Sequence, residues 1–118
     1  MPEEIKISLF EVVGSSICVA SGDGQKVYNR ITTALSNDRC VVLSFQNVTI
    51  LTAAFLNSAI GQLYGVFSEE KIRSLLKVEN IEQDDLALLK RVVDNAKLYF
   101  RDPKKYNEAI QEVLGDEA

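Results

Sequence analysis

The chain has 118 residues, 47% of them hydrophobic and 25% charged, with a net charge of −4, two cysteines and no histidine. This balance predicts one globular domain and excludes a disordered acidic tail, because the apolar content is high and the net charge modest. The cysteine count excludes a disulfide-rich scaffold, and the acidic balance disfavours nucleic-acid binding.

The N-terminal residues lack a basic run followed by an apolar stretch, so no secretory signal is predicted. We therefore expect a cytoplasmic protein in which both thiols are reduced. Cys18 and Cys40 lie in apolar runs of strand character, where a free cysteine normally acts as a small buried side chain.

The first elements are predicted to form a β-hairpin followed by a helix. Residues Ile5 to Phe10 nearly alternate between apolar and polar, which indicates a half-buried strand, and residues Ile17 to Ala20 are predicted to be its antiparallel partner. Residues 21–24 are predicted to be a loop. Apolar residues from Gln25 onward keep helical spacing until Asn37.

The middle of the chain contains no formal charge. No Asp, Glu, Lys or Arg occurs in the 29 residues from Cys40 to Ser68, whereas residues 69–118 carry 21 charges. Neutral polar residues interrupt the segment, so a membrane span is not predicted. The pattern predicts a strand covered on both faces, Cys40 to Phe45, and a helix from Thr52 to Tyr64. The segment is either simply core or partly a contact surface for another protein.

The last third is predicted to contain a strand and two helices. Ser68 is a predicted N-cap, followed either by a helical turn and a strand from Arg73 to Val78 or by a helix continuing to Leu76. Asn80 is predicted to open the next, long helix through a capping box. The Asp-Pro pair at positions 102–103 predicts a further helix, so the boundaries are a domain of residues 1–101 and a helical extension of residues 102–118.

Together these elements predict an α/β fold. Strands that alternate with helices favour a mostly parallel, four-stranded mixed sheet, with an N-terminal antiparallel hairpin and helices packed on it. The extra C-terminal helix would lie beyond the sheet.

One face of the helix predicted from Thr52 to Tyr64 is small and uncharged. Asn57, Ser58, Gly61 and Gln62 fall on it, whereas an exposed helix face normally carries Lys or Glu. Three explanations remain open: packing against the chain's own C-terminal helices, a protein interface, or a small-molecule pocket.

The segment Val41 to Tyr64 resembles the centre of a STAS-like domain, and more narrowly a bacterial STAS-like family of uncharacterised function. The residues that carry the resemblance are Ser44-Phe45-Gln46-Asn47-Val48, Ala54-Phe55 and the later strand Leu76-Lys-Val-Glu-Asn80. It covers roughly residues 5–100. The resemblance implies a regulatory binding module related in pattern to anti-sigma factor antagonists, which dock on an ATP-binding kinase-like regulator.

The resemblance also implies how this chain differs from those antagonists. Their phosphorylatable serine falls on Ala53, which has no hydroxyl, and a glycine of their motif falls on the bulky Phe55. Thr52 is the hydroxyl left at the helix start, and we interpret it first as a cap. Phosphorylation at Thr52 is not required by the sequence.

Enzymatic interpretations have little support. The run Ser21-Gly-Asp-Gly-Gln-Lys26 lacks the spacing of a phosphate-binding loop, and neither metal-ligand spacing nor a histidine base is present. We expect a non-catalytic module without cofactor or metal that binds another protein. Its predicted contact residues are Gln46, Asn47, Thr49, Thr52, Asn57, Ser58, Gly61 and Gln62. The alternatives are a homodimeric structural module and a small-molecule- or nucleotide-sensing domain.

Overall fold

The fold was obtained as a computed structural model that describes residues 4–101. The predicted C-terminal helical extension, residues 102–118, lies outside the described residues, as do residues 1–3. The strands are β1 (Glu4–Ser8), β2 (Ile17–Cys18), β3 (Cys40–Ser44), β4 (Ile50–Leu51) and β5 (Leu76–Glu79). The helices are α1 (Leu9–Val13), α2 (Ser21–Ser36), α3 (Ala53–Ala59), α4 (Glu69–Leu75) and α5 (Gln83–Arg101), with a 3₁₀ helix at Gly61–Gly65.

The strands form two sheets, and every described pairing is parallel. β1, β3 and β5 form a three-stranded sheet with β3 in the centre, whereas β2 and β4 form a separate two-stranded ribbon. The α/β class is therefore confirmed. The predicted four-stranded mixed sheet and the antiparallel N-terminal hairpin are wrong, because β2 pairs with β4 and not with β1.

The hairpin is absent because a short helix follows β1. The Ser8 hydroxyl accepts a hydrogen bond from the Glu11 N–H at 3.2 Å and caps α1, and Gly14, with φ 78°, ends that helix. Leu9 and Phe10, predicted to be strand, therefore lie in α1. This helical turn redirects the chain so that Ile17 meets Ile50 in register rather than returning along β1.

The second helix begins earlier than predicted. The N–H groups of Asp23 and Gly24 donate to the carbonyl oxygen of Ala20 at 3.1 Å, so residues 21–24 form its first turn and not a loop. The helix ends as predicted, with Asn37 at its C-cap.

The central strand β3 is confirmed, although only one of its faces is fully covered. Val41 and Leu43 are buried completely, whereas Cys40 and Val42 on the other face are half-buried. On that second face Lys6 of β1 reaches across β3 to Glu79 of β5, with 2.8 Å between Nζ and Oε1. Ser44 on that face is buried, so the prediction that β3 is covered on both faces is wrong at Cys40 and Val42.

The predicted helix from Thr52 to Tyr64 is split into α3 and the 3₁₀ helix. Gly65 allows α5 to approach this segment closely, because a Cβ atom there would lie 2.5 Å from the Phe100 ring. A Cβ atom on Gly61 would lie at an ordinary contact distance, 3.7 Å, from both Val92 and Ala96. The tighter 3₁₀ winding begins at this contact, where the α-helical hydrogen bonding of α3 has ended.

The remaining boundaries follow local capping. Ser68 caps α4 as predicted, since its hydroxyl accepts from the Lys71 N–H at 3.1 Å. That helix continues to Leu75, so β5 begins at Leu76 and not at Arg73. Asn80, with φ 56°, does not cap α5, which begins at Gln83.

Candidate protein-contact surface

The eight predicted contact residues do not form one surface. Gln46, Asn47 and Thr49 are exposed in the loop between β3 and β4, and Thr52 is half-buried at the start of α3. The remaining four lie further along the chain: Asn57 and Gln62 are exposed, whereas Ser58 and Gly61 are buried.

Ser58 is buried because α2 lies directly over it. Its hydroxyl donates a hydrogen bond to the carbonyl oxygen of Ser21 at 2.7 Å. The backbone of α2 approaches so closely at Gly24 that a Cβ atom there would lie 2.8 Å from the Ser58 Cβ. Ser58 therefore joins two helices of the same chain and is not available to a partner.

Gly61 is buried on the side of the chain that faces α5, next to Val92 and Ala96. The small uncharged face is therefore largely an internal packing surface, shared between α2 and α5. The contact of Gly61 with α5 agrees with the alternative of packing against the C-terminal helices, whereas the contact of Ser58 with α2 was not predicted. Asn57 and Gln62 remain at its margin and line a cavity of about 250 Å³ with Tyr99 and Phe100.

The loop between β3 and β4 is held in place by its own hydrogen bonds. The Gln46 N–H donates to the Ser44 hydroxyl at 3.3 Å, and the Val48 N–H donates to the Phe45 carbonyl at 3.1 Å. Asn47 adopts a left-handed conformation with φ 68°, which asparagine tolerates better than most residues. A fixed loop loses little conformational freedom when a partner binds to it.

Thr49 and Thr52 attach this loop to β2. The Thr49 N–H donates to the Ser16 carbonyl at 2.8 Å, and the Thr52 hydroxyl donates to the Val19 carbonyl at 3.0 Å. The same Thr52 oxygen accepts from the Phe55 N–H at 3.3 Å, which confirms the predicted cap. Thr52 is thus engaged on both sides of its hydroxyl.

Ala53 and Phe55 occupy the positions that the resemblance aligns with the antagonists' phosphorylatable serine and with a glycine of their motif. Ala53 is the exposed first residue of α3, and Phe55 is fully buried, as its bulk predicted. The start of α3 therefore offers a methyl group and an already bonded threonine hydroxyl.

The ribbon presents apolar side chains to solvent, which the sequence analysis did not predict. Ile17 is 45% exposed and Ile50 is 49% exposed, and the two are partners in the parallel register. Val19 and Phe10 are also exposed large hydrophobic residues. We call these four residues the ribbon surface: Phe10, Ile17, Val19 and Ile50. The sequence predicts a strand at Ile17 but pairs it with the strand Ile5 to Phe10, and no local pattern indicates Ile50 as its partner.

A cavity adjoins the ribbon surface at the carboxyl ends of β1 and β3. It has a volume of about 480 Å³ and is lined by Lys6, Ser8, Phe10, Glu11, Ser44, Gln46 and Asn47. The carboxyl ends of parallel strands are the usual binding edge of open α/β sheets. Phe10 lines this cavity together with the predicted loop residues Gln46 and Asn47.

The two thiols occupy different environments. Cys18 points inward from the ribbon and is fully buried, whereas Cys40 is half-buried. Burial, with a smaller contribution from the Asp23 carboxylate, raises the pKa of the Cys18 thiol to about 11. Cys18 is therefore protonated at neutral pH and is a poor nucleophile.

The described part of the chain contains neither a metal-binding cluster nor a membrane-spanning helix. No three Asp, Glu or Cys side chains between residues 4 and 101 come together as a metal-binding group. No helix in the same range is both long and apolar enough to cross a lipid bilayer.

Comparison with known families gives one match. Residues 23–86, just over half of the chain, match the STAS-like domain of unknown function (DUF4325). The matched region extends from α2 to the first turn of α5 and includes the loop between β3 and β4. It confirms the resemblance drawn from the segment Val41 to Tyr64. Searches of curated proteins and of solved structures gave no significant match.

Proposed function

The chain belongs to the family of STAS-like domains of unknown function (DUF4325), and from that premise we propose that it is a non-catalytic regulatory module that binds another protein. Its contact surface combines the ribbon surface with the exposed loop residues Gln46, Asn47 and Thr49. The proposed partner is an ATP-binding kinase-like regulator, the class on which the related antagonists dock.

The observation that carries this proposal is the pair Ile17 and Ile50. Two large aliphatic side chains lie next to each other, each nearly half exposed, on a ribbon of only two strands. Single exposed hydrophobic residues are common on proteins, but clustered ones beside a polar loop are typical of interaction sites. A partner that covered them would remove apolar area from water on a surface that needs little rearrangement.

The residues at the start of α3 support binding that is not controlled by phosphorylation at the position of the antagonists' switch serine. Ala53 has no hydroxyl, and the Thr52 hydroxyl already joins β2 to α3. Binding controlled by the amount of partner, or by its nucleotide state, fits this arrangement better than modification of the chain itself.

The test is affinity capture from the cells that naturally produce the protein, with two variants that each change exposed residues only. The first, which we call the ribbon variant, combines Ile17→Lys with Ile50→Lys. The control is Val66→Lys, which alters a 59% exposed residue remote from the ribbon. Circular dichroism and thermal unfolding confirm that both variants remain folded.

We expect the wild type and the Val66→Lys control to capture a partner protein that the ribbon variant does not capture. Its affinity for the ribbon variant, measured with purified proteins, should fall at least tenfold, or about 1.4 kcal/mol. Hydrogen exchange in residues 46–52 should slow when it binds. Equal capture by the folded ribbon variant would contradict the proposed surface. Self-association that is lost in the ribbon variant, measured by sedimentation, would instead favour the homodimeric alternative.

A further inference from the structure

A second groove lies along the outer edge of β1, away from the ribbon surface. It has a volume of about 620 Å³, and its lining consists of Ile5, Lys6, Ile7, Val12, Lys26, Asn29, Arg30, Thr33, Ala34, Asn37 and Arg39. Among the described residues β1 pairs with β3 alone, so its other edge is unpaired within the part of the chain that is described.

The lining shows that the groove follows the edge of the strand and not one of its faces. Side chains alternate between the two faces of a strand, so a cavity on one face is lined by every second residue. Here the three consecutive residues Ile5, Lys6 and Ile7 all line the groove. This arrangement places the open backbone edge of β1 beside the cavity.

Helix α2 forms the opposite wall with one continuous face. Its lining residues are Lys26, Asn29, Arg30, Thr33, Ala34 and Asn37, which have the spacing of a single helical stripe. From Lys26 to Asn37 the helix rises about 16 Å, at about 1.5 Å per residue. An extended segment of five residues is about 17 Å long at about 3.3 Å per residue. The groove therefore has the length of one additional strand that matches β1.

The charge of the groove indicates which kind of strand it would accept. Its lining contains four basic residues and no acidic one, although the whole chain has a net charge of −4. Lys6 and Lys26 are exposed, and they are paired with the half-buried carboxylates of Glu79 and Asp23. Arg30 has no ion-pair partner among the described residues.

The apolar part of the lining complements this charge. Ile7 and Ala34 are buried, and Ile5 and Val12 are half-buried beside them. A strand added to β1 would direct alternate side chains toward these apolar residues and toward the basic residues Lys26 and Arg30 of α2, which we call the basic rim. Its other side chains would point to the opposite face, where Lys6 lies. The required sequence therefore combines apolar with acidic residues.

We propose that the groove between β1 and α2 binds an extended acidic peptide segment of a partner protein, which adds to β1 as a fourth strand of the three-stranded sheet. Backbone hydrogen bonds to β1 provide affinity, and the basic rim selects acidic side chains. None of the four residues of the ribbon surface lines this groove.

The test uses the full chain and synthetic peptides with blocked ends. The probe alternates valine with glutamate, one control peptide alternates valine with lysine, and a second repeats the probe with alternate backbone amides methylated. Binding is measured by fluorescence anisotropy, and the exchange of individual backbone amides is followed by NMR. The protein variants are Arg30→Glu in the groove and Arg91→Glu as a control at an exposed position of α5.

The expected result has three parts. The valine–glutamate peptide binds and slows amide exchange in residues 4–8, whereas the lysine and methylated peptides bind at least tenfold more weakly. Arg30→Glu weakens binding about tenfold, and Arg91→Glu does not. The ribbon variant with Ile17→Lys and Ile50→Lys binds the peptide normally, so this result is separate from the proposed function.

Several outcomes would overturn the proposal. Equal binding of the methylated peptide would show attraction by charge without strand addition. Failure of the valine–glutamate peptide to bind would show that the open edge of β1 is protected and does not accept a further strand. Amides on the outer edge of β1 that exchange slowly before peptide is added would show that another segment of this chain, or a second copy, already occupies the groove.

Discussion

The three-stranded sheet and the two-stranded ribbon are both parallel, yet their side chains lie in opposite environments. Val41 and Leu43 of the sheet are completely buried, whereas Ile17 and Ile50 of the ribbon are nearly half exposed. The sheet is held mainly by apolar burial beneath the helices. The ribbon, which is too small to be stable alone, is held by hydrogen bonds at its ends. The fully buried and the exposed aliphatic side chains therefore lie on different strands.

Cys18 shows that the division is not absolute. It follows the exposed Ile17 directly but points inward and is completely buried. One side of the ribbon thus belongs to the core, and its other side remains available. Substitutions in the sheet and in the ribbon can test this division.

The largest effect is expected at the centre of the sheet. Leu43→Ala should lower the free energy of unfolding by about 2–5 kcal/mol, because it removes a fully buried side chain and leaves a cavity. Chemical denaturation followed by circular dichroism measures the change. Val42→Ala, on the half-covered face of the same strand, should lower it by clearly less. Equal losses would mean that both faces of β3 are core.

The second-largest loss of stability is expected at the contact between α2 and α3. Gly24→Ala would place a Cβ atom 2.6 Å from the Phe55 carbonyl oxygen and should destabilise the protein by about 1–3 kcal/mol. Gly22→Ala meets no atom within 4 Å and should be neutral or stabilising by up to about 1 kcal/mol. Thermal unfolding compares the two, and a destabilisation of the same size in both would contradict the close contact.

The burial of Cys18 on the inward side of the ribbon should make the free energy of unfolding depend on pH. The pKa of Cys18 is raised to about 11 from 9.0, so between these values the folded protein retains a proton that the unfolded chain loses. The free energy of unfolding should therefore fall as the pH rises through this range, by at most about 1.4 kcal/mol per pH unit for this thiol.

Two variants isolate the contribution of Cys18. Denaturation curves of Cys18→Ala at a series of alkaline pH values should show a shallower decline than the wild type. Cys18→Val, which also lacks the thiol, should show the same shallower decline. A decline as steep as that of the wild type in both variants would mean that the alkaline dependence arises from other groups.

A smaller effect is expected where the ribbon joins α3. Thr52→Ala removes the helix cap and the hydrogen bond to Val19, and should lower the free energy of unfolding by about 1 kcal/mol. Thr52→Ser retains the hydroxyl and should lose much less. Urea denaturation distinguishes them, and equal losses would assign the effect to the methyl group.

The smallest effect is expected on the exposed side of the ribbon. Ile50→Thr should change the free energy of unfolding by no more than about 0.5 kcal/mol, because the side chain is 49% exposed. The same denaturation assay measures it. A loss comparable to that of Leu43→Ala would show that the ribbon surface is covered and would remove the basis of the proposed contact.

Local features of the fold were predictable from the sequence. The caps at Thr52 and Ser68 were predicted because capping depends on residues only three positions apart. Strand β3 was predicted because a continuous apolar run has few alternatives. The short helix after β1 was missed, since the alternation from Ile5 to Phe10 concealed the Ser8 cap.

Pairings between distant segments were not predictable in the same way. Thr49 and Ser16 are 33 positions apart, and nothing in either local pattern indicates that they meet. Similarly, the small face with Ser58 and Gly61 suits both an interface and close helix packing, and only the distance from Ser58 to Ser21 distinguishes them. The groove beside β1 also requires two elements that are separated in sequence, so its basic rim appeared only in the structure.

The parallel arrangement has a consequence for the order in which the molecule folds. A hairpin forms quickly because its strands are close in sequence, but no described strand pair here is of that kind. Glu4 must meet Cys40 across the whole of α2, and Val41 must meet Leu76 across α3 and α4. Long chain segments are therefore closed before any strand contact contributes, so we expect slow folding in which α2 and α3 associate before the sheet is complete.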